Sequence, residues 1–171
     1  MNTAVLVLRL IHIVCGVYWA GTLMFLATLL QPSVADAGPD GGKVTQALMR
    51  RRFLEIVPIM AALTILSGIE LLRRVSGGFS AGWFGTTAGM TLSTGALSSL
   101  IAFTIGISML RPAAKRAGPL AQQAQQLPEG PERDALMAQV QQLRQRMKLG
   151  GRWVAFFLLI AVIGMASFRY V

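Results

Sequence analysis

The sequence predicts an all-α fold: a polytopic membrane four-helix bundle forming a single domain (1–171), with a cytosolic αα hairpin that extends helices three and four. Three observations carry this. Hydrophobic residues make up 54% of the chain and charged residues only 13%, with a mean hydropathy of +0.58. The apolar residues gather into four runs with few or no charges, each near the roughly 20 residues that a helix needs to cross a bilayer. The basic residues behind the net charge of +9 collect mainly in two of the segments between those runs. This composition excludes disorder and disfavours an ordinary water-soluble domain.

Span one runs about 4–30, from Ala4 to Leu30, with Arg9 and His12 as its ionisable side chains besides Cys15 and Tyr18. It would reach roughly 40 Å at 1.5 Å per residue, enough to cross with tilt. A basic segment does not precede it and it exceeds the apolar core of a cleavable signal, so it reads as a retained helix. QPSVADAGPDGG, from Gln31, supplies the Pro, Asp and Gly chemistry that stops a helix. KVTQALMRRRFLEI then reads as an interfacial helix, with Val44, Leu48 and Ile56 apolar and Arg50 to Arg52 among headgroups, feeding directly into span two. Span two is short, about 56–72, with Pro58 expected to kink its entry and Glu70 near its far end.

The Gly-rich link from Val75 to Ala88 reads as a loop whose Trp83 and Phe84 suit a membrane–water boundary. Span three, about 89–110, repeats Thr91, Gly95, Ser98, Ala102 and Gly106 at three-to-four spacing, a face that admits a close neighbouring helix. Ala161, Gly164 and Ala166 offer similar contacts in span four, about 153–170. Between them, about 112–150, Leu136, Val140, Leu143 and Met147 recur at helical spacing after the turn LPEGPE. Glu132 and Asp134 at the start and Arg144, Arg146 and Lys148 near the end complement a helix dipole, hence the hairpin. We detect no repeat of the first two spans in the last two, which argues against an inverted-repeat transporter.

Lys and Arg in short loops stay on the cytoplasmic side. Lys43 and Arg50 to Arg52 lie in one loop, and Arg111, Lys115, Arg116, Arg133, Arg144, Arg146, Lys148 and Arg152 in the other. The expected topology therefore has both termini outside and both basic loops cytoplasmic, in a bacterial inner (plasma) membrane. The basic balance is thereby accounted for without nucleic acid, and the expected partners are the lipid bilayer and a homodimer or membrane-complex partner.

Ionisable groups inside a bilayer are costly, so each is a functional candidate. Arg9 and Glu70 come to similar depth and are expected to form a structural ion pair. Arg9, His12, Gly16 and Trp19 fall on one stripe of span one, where a glycine one turn from the imidazole leaves room for a flat ring. Imidazole is a usual axial ligand of haem, which makes haem b a candidate cofactor and His12 a metal ligand only to haem iron, with Arg9, or Arg9 and Arg73, meeting propionates or another anionic group. His12 is the sole histidine, so an intrachain bis-histidine haem, a zinc triad and a di-iron site are excluded. That leaves a methionine partner such as Met90 or Met165, five-coordinate iron, or two copies of His12 across a two-fold axis. No phosphate loop, HExxH, CxxC or serine with a nearby histidine base is present.

The run RLIHIVCGVYWAGTLMF, Arg9 to Phe25, with a membrane histidine followed by an aromatic-Trp-small-Gly step, resembles the first helix of the copper resistance protein D family. It also resembles the four-helix bacterial protoporphyrinogen oxidase family, which shares the basic run before helix two (MRRRFLEIVPIMAALTILSGIELL) and a Gly and Trp before helix three. The second resemblance implies that His12 is a haem ligand candidate. That family's functional lysine on helix three has no counterpart, since Lys43, Lys115 and Lys148 all fall outside the spans and Met90 and Thr91 stand near the expected place. The sequence thus supports three readings: a porphyrin or redox-ligand binder around His12, a non-enzymatic accessory or scaffold subunit, and a transporter of copper or a small solute. The catalytic residues, if any, are not identified by any motif.

Overall fold

The computed structural model describes residues 3–171. Among them there is no strand, and six helices account for most of the chain. We label them α1 (Thr3–Asp36), α2 (Gly41–Arg50), α3 (Phe53–Val75), α4 (Ala81–Phe84), α5 (Thr87–Gln126) and α6 (Pro131–Ser167). Helices α1, α3, α5 and α6 are long and apolar enough to cross a membrane.

The expected stop at Gln31 is not where the first helix ends. α1 continues to Asp36 by passing through a wider π turn at Leu26–Leu30, in which the Gln31 N–H bonds back five residues to the Leu26 carbonyl. Pro32 follows at once. A proline ring collides with the carbonyl four residues earlier in a regular helix, and a π turn is one of the local adjustments that lets the helix run on past it. α5 repeats the device eighty residues later: a π turn at Gly106–Leu110, the Arg111 N–H bonded to the Gly106 carbonyl, then Pro112. In both turns the hydroxyl at the third position donates to the carbonyl four residues back, Thr28 to Met24 and Ser108 to Thr104, at 2.8 and 2.6 Å. LATLLQP and GISMLRP thus adopt the same local turn ahead of a proline.

Other boundaries shift as well. α2 does not feed smoothly into span two, because Arg52 adopts a left-handed conformation (φ 58°) and makes a corner before α3 begins at Phe53. α3 then runs uninterrupted through Pro58. The link after Val75 contains the single turn α4, and α5 starts from a capped end where the Thr86 hydroxyl accepts the Gly89 N–H at 3.0 Å. α6 ends at Ser167 rather than at Tyr170.

α5 packs along α6, α1 packs along α3, and α6 also touches α1 and α3 touches α5. The shared core draws on all four: Trp19 and Ala20 from α1, Val57 and Ala61 from α3, Ala102 from α5, Val154 and Leu158 from α6. It is made largely of small residues, while Val14, Val17, Leu66, Leu97 and Ile163 lie on the outside. A bundle dissolved in hydrocarbon has this character, since large apolar side chains gain nothing from hiding there and close backbone packing supplies the cohesion. The α5–α6 contact shows it directly. A Cβ on Gly164 would meet the Thr91 carbonyl at 3.0 Å and the Gly95 Cα at 3.1 Å, and one on Gly95 would meet the Ala161 carbonyl at 3.2 Å. Below the π turns, Ala113 and Ala124 of α5 and Val140 of α6 are buried on the covered faces of the two helices, which are joined by residues 127–130. At the junction a Cβ on Gly150 would lie 2.8 Å from Leu110 and one on Gly151 would lie 3.6 Å from the Gln31 amide.

Candidate functional site

His12 sits between α1 and α3. Its Nδ1 lies 2.8 Å from the Thr64 carbonyl oxygen. A carbonyl can only accept, so Nδ1 carries the proton and donates it. Ser67 Oγ lies 3.4 Å from the same nitrogen, and its own hydroxyl donates to the Leu63 carbonyl at 2.6 Å. Thr64 Oγ1 likewise donates back along α3, to the Met60 carbonyl at 2.8 Å. The imidazole rests against Gly68, where a Cβ would come within 2.8 Å of His12 Cε1 and 3.1 Å of Nδ1. One turn along α1, Gly16 takes up Thr64, whose Cγ2 would be 3.3 Å from an added Cβ.

The proton on Nδ1 leaves the lone pair on Nε2. That atom has no hydrogen-bond partner among the described residues, and it is not sealed within the protein, since the buried side-chain polar atom without a partner there is Arg111 Nε. A backbone carbonyl that fixes the ring orientation and the tautomer, with the other nitrogen left open, is the arrangement in which histidine binds a metal.

The remaining candidate residues separate from this centre to different degrees. Arg9 is exposed one turn from His12 and has no ion-pair partner among the described residues. The expected Arg9–Glu70 pair is not formed. Glu70 is held within α3, where Arg73 binds both carboxylate oxygens at 2.7 and 2.8 Å and Arg74 Nε adds a third bond at 2.7 Å. Arginines three and four residues along the same helix face reach the carboxylate without help from another helix. Trp19 belongs to the core, 3% exposed and edge-on to Phe103 at 6.3 Å between ring centroids. Met90 and Met165 lie on the α5–α6 pair. Met90 is 55% exposed and the Met165 backbone packs beside Gly95, whereas the hydrogen-bonded and close contacts of His12 are all with α3.

The groups that orient His12, namely Thr64, Ser67 and Gly68, were not singled out from the sequence. A signal existed in TILSG, which places a hydroxyl, a hydroxyl and a glycine at i, i+3 and i+4, on one face of an otherwise apolar helix. Among the described residues no three His, Cys, Asp or Glu side chains gather into a metal site, so the chemistry open to this centre is that of one imidazole donor with a nearby cation. Comparison with family models, with curated proteins and with solved structures finds no match to this chain.

Proposed function

We propose that the chain is a four-span integral membrane protein of a bacterial plasma membrane, its termini outside and its basic loops cytoplasmic, that binds haem b or a related porphyrin through His12 Nε2. The observation that carries this reading is the 2.8 Å bond from His12 Nδ1 to the Thr64 carbonyl, which leaves the Nε2 lone pair oriented and without a partner among the described residues. Bound there, the iron would supply one-electron redox chemistry. This chain's own part is to hold the imidazole. Thr64 and Ser67 fix its tautomer, Gly68 and Gly16 let α1 and α3 approach closely enough to make those bonds, and Arg9 offers a cation to a propionate. A methionine ligand from the same chain has no support in these contacts, which leaves five-coordinate iron or a second copy of His12.

The competing reading makes His12 a clamp between α1 and α3 in a non-enzymatic accessory subunit, and the same Thr64 bond favours it. The visible spectrum separates them. Protein purified in detergent after growth with ample haem shows a Soret band under the first reading, and His12→Ala removes it while Lys115→Ala keeps it. Colourless wild-type protein, or an unchanged band in His12→Ala, rejects haem ligation and leaves the clamp.

A further inference from the structure

Helix α2 is held at the boundary of the membrane-spanning bundle from both ends. Only residues 37–40 join it to α1, and only residues 51–52 join it to α3. At roughly 3.5 Å per extended residue, it cannot move more than about 15 Å from one span end or about 7 Å from the other. Its first turn is pinned further, because Gly41 is buried directly against the Val34 carbonyl of α1, with no room for a Cβ. Within those limits it packs mainly on the last turns of α1, the Gly38–Asp40 turn and the start of α3.

The helix is amphipathic. Val44, Ala47 and Leu48 share one side and Lys43, Gln46 and Arg50 the other. Val44 is 50% exposed and Ala47 is exposed, while Leu48 is half-buried, so protein covers the apolar stripe only in part. The charges are unequal in their local compensation. Lys43 is paired with Asp40 at 2.6 Å and Arg52 with Glu55 at 3.1 Å, while Arg50 and Arg51, both exposed, have no acidic partner among the described residues. α2 and the residue that follows it thus present a partly uncovered apolar stripe and two uncompensated guanidinium groups at the level where a bilayer changes from acyl chain to headgroup. An acidic protein partner would satisfy the guanidiniums and leave the stripe, and a zwitterionic surface would satisfy the stripe and leave the charge. An anionic phospholipid surface satisfies both.

We propose that α2 and the corner after it, through Val44 and Leu48 inserted below the headgroups and Arg50 and Arg51 on their phosphates, form a docking surface for anionic phospholipid in the leaflet at the basic end of the bundle. This rests on the membrane reading above and is independent of haem.

The test uses the full chain reconstituted in phosphatidylcholine vesicles carrying trace spin-labelled phosphatidylglycerol or spin-labelled phosphatidylcholine, with the motionally restricted fraction of each compared at low salt. The expected result is a preference of the protein boundary for the anionic lipid that falls by roughly 5-fold for each guanidinium removed in Arg50→Gln and Arg51→Gln. The charge-conserving Arg50→Lys/Arg51→Lys variant keeps it, and Lys115→Gln/Arg116→Gln changes it less. Equal restriction of the two lipids overturns the proposal, as does loss of the preference in Lys115→Gln/Arg116→Gln with none in Arg50→Gln/Arg51→Gln. A chain that is monodisperse without detergent instead overturns the membrane reading itself, so the two failures are distinguishable.

Discussion

At the scale of single residues, the centre at His12 depends on space as much as on hydrogen bonding. The imidazole reaches the Thr64 carbonyl only because nothing projects from Gly68, where a methyl group would stand 2.8 Å from Cε1. Gly68→Ala therefore expels the ring or spreads α1 from α3. We expect a loss of about 1–3 kcal/mol in detergent unfolding, the ordinary cost of overpacking a close contact, together with loss of any Soret band. Unchanged stability and spectrum would mean that the ring does not sit on Gly68. Sequence reasoning located His12 because a lone imidazole in an apolar helix is conspicuous, but its partners were hidden. Thr64 contributes a backbone carbonyl, which leaves no mark in a sequence, and Ser67 looks like many other small residues of a membrane helix. The Arg9–Glu70 expectation failed for a related reason. Matching two residues by depth ignores their direction around the helix, and Arg73 and Arg74 lie on the face that Glu70 already shares.

At the scale of elements, apolar run length identified all four long helices, because unsatisfied backbone groups are not tolerated in hydrocarbon and a run of that length has no alternative to a helix. Helix ends were less legible. Pro32 reads as a stop signal by the rules of water-soluble chains, yet α1 passes it through a π turn. The small-residue stripe was easier, since spacing alone predicts a close contact. It is realised where Gly95 and Gly164 bring the α5 and α6 backbones together. An added methyl there meets main-chain atoms that cannot rotate away, so Gly164→Ala should lower detergent stability by about 1–3 kcal/mol. Gly21→Ala, with nothing within 4 Å of the new Cβ, serves as the control and should be neutral or slightly stabilising. Equal effects from the two would remove the close crossing as a source of cohesion.

At the scale of the whole molecule, the two ends of the bundle differ. One carries the short link with Trp83 and Phe84, and the other carries α2 and the long extensions of α5 and α6. If the basic end faces the cytoplasm, protease added to sealed right-side-out cells leaves the turn at residues 127–130 intact, and protease added to inverted vesicles cuts there. Cleavage only from outside reverses the proposed orientation and leaves the helix packing untouched. The two π turns also carry a mechanical consequence. They stand beside Gly150 and Gly151 of α6, so α1 and α5 both lack regular helical hydrogen bonding where the third helix is slimmest. Bending is cheapest where that ladder is already interrupted. A bend in α1 or α5 would therefore fall at Leu26–Leu30 or Gly106–Leu110, well along α1 from His12.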